Sequence, residues 1–148
     1  MSVIFNSTTP AAASGQTLIT WQKDGSGNVS GEVGPNLPID IGVFAPGLGT
    51  ANQVLLRLKL NRGIKFPASA TLSNATASAN CTGNTTYTLK KNGSSFATVL
   101  FTAGGAAGAW TQASDSTFAA TDLLEIDGPA VADTTLKDVG ITLAGLRT

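Results

Sequence analysis

The sequence contains no histidine, and this absence bears first on chemistry. Histidine is the commonest general acid, general base and metal ligand near neutral pH. Without it, proton-transfer catalysis would have to rest on carboxylates or amines. Cysteine is almost absent as well. Cys81 stands alone, which excludes a disulfide within the chain. It precedes the polar run Thr82-Gly83-Asn84 and has no basic neighbour, so it reads as a buried, inert thiol rather than a nucleophile.

Charge is scarce too. Only 12% of the 148 residues are charged, about half the usual share, and nine basic residues balance nine acidic ones. A surface that holds nucleic acid through its phosphates needs a basic stripe to displace counterions. Arg57, Lys59, Arg62 and Lys65 are the nearest approach to one, and no nucleic-acid partner is expected. A net charge near zero favours association over repulsion between copies, which suits a component of a larger assembly.

Long apolar runs are missing. Nothing approaches the ~20 residues of a membrane helix, so no membrane association is expected. Met1 to Thr9 has neither a basic start nor a long apolar core, so no export signal is expected and synthesis in a cytoplasm is. No cofactor is expected either. Asp24-Gly25-Ser26-Gly27-Asn28 carries oxygens at alternate positions, as a calcium loop does. However, Val29 stands where such a loop needs glycine, and Pro35 where it needs the bidentate glutamate. Gly104, Gly105 and Gly108 lack the strand-to-helix setting of a phosphate loop. Asn-x-Ser/Thr triplets at Asn6, Asn28, Asn74, Asn80, Asn84 and Asn92 follow from a composition rich in these residues.

What is present is β pattern and turn chemistry. A chain of this length can bury about 70% of its unfolded surface in one domain. Residues 1–38 read as an N-terminal arm. Val3, Ile4 and Phe5 form an apolar patch, and Thr17 to Gln22, with Leu18 and Trp21, reads as a strand. Asp24 to Asn28 supplies a turn, and Val29 to Val33 returns. Gly34 to Pro38 is a linker by its two prolines. Two strands cannot bury a core, so this arm needs a surface to dock on, in its own chain or in a neighbouring one.

Residues 39–148 read as a β-sandwich, jelly-roll-like. Ile39, Ile41 and Val43 alternate up to a turn at Ala45-Pro46-Gly47. Val54, Leu56, Leu58 and Leu60 alternate with Leu55, Arg57, Lys59 and Asn61, placing leucines on a buried face and cations on a wet one. Ala70 to Ala79 alternates small residues. Thr85 to Lys90, the pair Asn92-Gly93, and Ser95 to Thr102 make the clearest hairpin. Leu123 to Ile126 and Val139 to Leu146 complete about eight strands, spaced as an antiparallel sandwich requires. The only helical pattern is a single turn over Ala132 to Lys137.

Chemistry has few carriers. Asp115, Asp122, Glu125, Asp127, Asp133 and Asp138 could furnish the two carboxylates of a glycosidase. Glu125 and Asp127 share a strand face. Solvated turn carboxylates are the simpler reading, and the chain is not expected to be an enzyme. Trp110 beside the glycine-rich loop could stack on a sugar, with Asn92 as a further ligand contact. A plug at one end of the sandwich is the reading favoured for Trp110.

Phe5 to Ala12, followed by Ile19 to Ser30, resembles a segment recurring in virion proteins of tailed bacteriophages. Phe66-Pro67-Ala68, Tyr87 to Gly93, Ala97 to Thr102, Asp122 to Ile126 before Pro129, and Asp138 to Leu143 are similar to modules of such proteins on heads and on tail fibres. The resemblance implies a capsid decoration (cement) protein, forming a homotrimer and bound to the major capsid protein on the virion head. Val3, Ile4, Phe5, Leu18, Trp21 and Val29 would then make the capsid or subunit contacts. The alternative it implies is a tail-fibre or carbohydrate-binding module. A fibre normally adds a shaft, and the sequence offers none.

Overall fold

The protein is described by a computed structural model, which covers residues 19–23, 25–26, 29–33 and 37–148. The chain divides into two units, Met1–Leu37 and Pro38–Thr148. In the first, β1 (Ile19–Lys23) pairs antiparallel with β2 (Val29–Val33) as a two-stranded sheet of its own. The register sets Trp21 across from Gly31 and Lys23 across from Val29. Gly25 and Ser26 form the turn, as the Asp-Gly chemistry requires.

The second unit is all β: two antiparallel five-stranded sheets closed on one apolar core. One sheet runs β10 (Ser116–Phe118), β5 (Ile64–Phe66), β12 (Lys137–Arg147), β3 (Pro38–Leu48), with β6 (Asn74–Thr76) also on β12. The other runs β4 (Val54–Lys59), β11 (Leu123–Asp127), β7 (Thr85–Lys91), β8 (Ser94–Phe101), β9 (Gly108–Thr111). The chain changes sheet between β3 and β4, β4 and β5, β6 and β7, and at every step from β9 to β12. Sequential neighbours therefore face each other across the core, which makes it a sandwich.

Period-two patterning explains the layers. In β12, Val139, Ile141 and Leu143 are buried while Gly140, Thr142 and Ala144 face outward. Aromatic rings then join the sheets. Phe66 of β5 meets Phe118 of β10 edge-on at 5.3 Å, and both contact Phe96 of β8 in the opposite sheet, at 6.0 and 5.3 Å. Such pairs contribute about 0.5–1.5 kcal/mol each beyond burial. Gly145 makes room for them, because a Cβ there would lie 2.8 Å from both Ile64 and Phe66.

The expected Asn-Gly hairpin forms. Asn92 and Gly93 take φ of 49° and 85° between β7 and β8, the left-handed pair of a type I′ turn. Elsewhere the structure departs from the pattern. Ala45-Pro46-Gly47 is no turn, since β3 continues through it to Leu48. As an edge strand, β3 can carry a proline whose missing N–H leaves no ladder partner unpaired. The Ala70–Ala79 alternation shrinks to β6, after a 3₁₀ turn at Ala68–Ala70 and positive φ at Ser69, Ala70 and Leu72. Leu60 is buried as expected, but Val54 and Leu58 stay 47% and 37% exposed, because β4 is also an edge. Residues 132–136 are irregular, with a bend at 134–135, rather than a helical turn.

Candidate functional site

Of the residues expected to make contacts, Val3, Ile4, Phe5 and Leu18 lie outside the described residues. Trp21 and Val29 lie in the paired strands β1 and β2. Asn92 and Trp110 fall in different places. Asn92 occupies the β7–β8 turn, where its carboxamide donates to Asp122 Oδ1 and accepts the Leu123 N–H, each at 2.8 Å. Its hydrogen-bonding groups are engaged within the protein. Trp110 is not in a loop but in edge strand β9, opposite Val99, packed against the core and half-buried. Its Nε1 is buried without a partner among the described residues, as is Gln112 Oε1 two residues on.

The six candidate carboxylates are spread over the sandwich, each with a partner. Glu125 on β11 faces Arg57 of β4, whose Nε and Nη2 reach its Oε1 at 2.8 and 2.7 Å. Asp127 Oδ2 lies 2.6 Å from Lys90 of β7. Asp115 accepts the Ala68 N–H and pairs with Lys65, which together lower its pKa. Asp122 is lowered to about 2, chiefly by the Asn92 carboxamide and then by the Ala119 N–H and Lys91. Asp138 is lowered by the Ser78 hydroxyl and the Gly47 N–H.

Asp133 is the most heavily bonded. One oxygen accepts from the Thr82 and Gly83 N–H groups and the Thr82 hydroxyl. The other accepts from the N–H groups of Thr135 and Leu136 and the Thr135 hydroxyl. These bonds push its pKa far below the carboxylate range, the Gly83 N–H contributing most. Accepting donors favours the charged form. The four shifted aspartates are thus acceptors that pin loops, whereas a general acid must hold a proton at working pH.

One arrangement is not legible in the sequence, because its parts are far apart in the chain. The outward faces of β7 and β11 and two loops enclose a cleft of about 320 Å³, lined by Asn52, Thr86, Thr88, Lys90, Asp127 and Gly128. The loops are tied together. Asn52 N donates to Pro129 O at 2.8 Å and Gly128 N to Gln53 O at 2.7 Å. Asp127 Oδ1 has no donor among the described residues. A second, more apolar groove of about 400 Å³ runs past Pro38, Pro67, Leu72 and Leu146, with Leu72 88% exposed at a φ of 71°.

Among the described residues no group of histidine, cysteine and carboxylate side chains is placed to hold a metal, and no helix is long and apolar enough to cross a membrane. Compared with known proteins, the chain matches no family model, no curated protein and no solved structure.

Proposed function

We propose that this chain is a virion structural protein of a tailed bacteriophage, a capsid decoration protein that binds the outer face of the head. The observation that carries the reading is the β1–β2 pair, which forms a two-stranded sheet of its own in the first unit. A lone pair of strands is marginal in water and gains stability only against another surface. In this reading that surface is the major capsid protein or a neighbouring protomer of a homotrimer. Val3, Ile4, Phe5, Leu18, Trp21 and Val29 supply the apolar anchors, and backbone hydrogen bonds along the strands add affinity with little demand on sequence. The sandwich projects as the knob, and we read its two-sheet wrapping as a jelly roll.

Near-zero net charge fits dense packing on a shell, where repulsion between copies is unwanted. Partnered carboxylates fit a binding role better than hydrolysis. The test is co-sedimentation of the full chain with emptied, expanded heads and, separately, with purified tails. Binding to heads that Phe5→Ala with Trp21→Ala weakens supports the reading. Binding to tails alone overturns it in favour of a fibre module.

A further inference from the structure

We infer that the cleft between β7, β11 and the Asn52 loop is a binding site for a neutral, hydroxyl-bearing ring, such as one hexose unit of a glycan. The assignment goes beyond the capsid role and does not depend on it.

The wall chemistry selects the ligand. Thr86, Thr88 and Lys90 alternate along β7 and point outward, because Tyr87 and Leu89 between them are buried. Alternate residues on a strand stand about 7 Å apart, so the two hydroxyls and the ammonium form a spaced row along the cleft floor. Asp127 of β11 lies beside this row, across from Thr88, and Asn52 lines the cleft from the loop. The side chains of Asn52, Thr86 and Thr88 make no hydrogen bond to another described residue. Donors and acceptors of both kinds therefore converge on one small space with their capacity unused.

Charge narrows the class. Lys90 and Asp127 neutralise each other at 2.6 Å, so the cleft has no net charge to attract an anion or a cation. The ammonium still has protons to donate. Asp127 Oδ1 is buried and has no donor among the described residues. The χ2 torsion of aspartate is soft, so a small rotation turns this oxygen toward a ligand hydroxyl. A group that both donates and accepts at several points satisfies such a wall, and a sugar hydroxyl does both.

Shape agrees. About 320 Å³ lies at the low end of the ~300–1,000 Å³ typical of small-ligand sites, room for one ring rather than a chain. The wall is preformed, because the Asn52–Pro129 and Gly128–Gln53 bonds join the two loops. At Gly128 a Cβ would lie 3.1 Å from Gln53 O, so a bare backbone lets the loops close this tightly.

The test is a titration of the full chain, ¹⁵N-labelled, with D-glucose, D-galactose, D-mannose and N-acetyl-D-glucosamine. Each is taken to about 50 mM, far above the ~1 mM dissociation constant of a weak site. The expected result is saturable shifts from at least one sugar, centred on the amides of Asn52, Thr86, Thr88 and Gly128. Thr86→Val and Thr88→Val should each weaken that binding about tenfold, roughly one lost hydrogen bond, with the thermal midpoint unchanged. No response to any of the four sugars overturns the assignment. So do shifts centred elsewhere, shifts that both valine variants leave intact, or tighter binding of inorganic phosphate. None of these readouts involves a capsid, so their failure is separable from failure of the decoration role.

Discussion

Asp133 accepts the backbone N–H of Gly83 at 2.9 Å, and this contact joins loops fifty residues apart in the chain. The same carboxylate also fixes its own loop through Thr135 and Leu136. An amide in its place would keep one acceptor and turn an N–H₂ group toward donors. Asp133→Asn should lower the thermal midpoint clearly, and more than Asp40→Asn on the exposed face of β3. Circular dichroism melts of the two variants check this.

Four aspartates with depressed pKa give the fold a defined response to acid. A group whose folded pKa lies below its unfolded value stabilises above the unfolded value, about 3.9 for aspartate. That stability is lost as pH falls toward the folded value, about 2 for Asp122. At the alkaline end, Lys90 is raised by its bond to Asp127. It contributes fully below its ordinary 10.5 and loses that contribution as pH climbs through the raised value. Tyr87 is raised chiefly by burial, so its ionisation opposes folding above 10.0. With no histidine between these limits, the melting midpoint should be flat from about pH 5 to 9 and fall steeply below about pH 4.

The Arg57–Glu125 pair is asymmetric, with the arginine side chain 65% exposed and the glutamate 9%. Removing the arginine leaves a buried carboxylate short of donors, so Arg57→Ala should cost about 1–3 kcal/mol. Replacing both, Arg57→Leu with Glu125→Leu, should cost less than Arg57→Ala alone, because no charge is then stranded. Urea unfolding of the three variants measures the difference.

Gly145 and Gly42 face each other's strands but differ in the space around them. A Cβ at Gly145 would collide with Ile64 and Phe66, whereas one at Gly42 would meet Thr142 Oγ1 at an ordinary 3.7 Å. Gly145→Ala should destabilise by about 1–3 kcal/mol through overpacking. Gly42→Ala should stay within about 0.5 kcal/mol. Equal effects in chemical denaturation would contradict this account of the core.

Much of the fold was legible because it rests on local rules. Alternation placed Val139, Ile141 and Leu143 inward, and Asn92-Gly93 specified its hairpin. The failures came where neighbours decide. Pro46 looked like a turn, but the strand around it is an edge that needs no N–H at that point. Val54 and Leu58 have the periodicity of a buried face, yet an edge strand lacks a second neighbour to cover them. Three-residue strands such as β5 and β10 are too short to show a period. The cleft was invisible for a similar reason. Asn52, Thr88 and Asp127 are ordinary polar residues until the topology brings them together. Trp110, an aromatic beside a glycine-rich stretch, packs on the core.

The decoration role is tested most directly by electron microscopy of intact virions carrying this chain with a C-terminal gold-binding tag. The account predicts label in a regular array over the head, present only on expanded shells. Label confined to the tail or its fibres, or particles without any label, would contradict it.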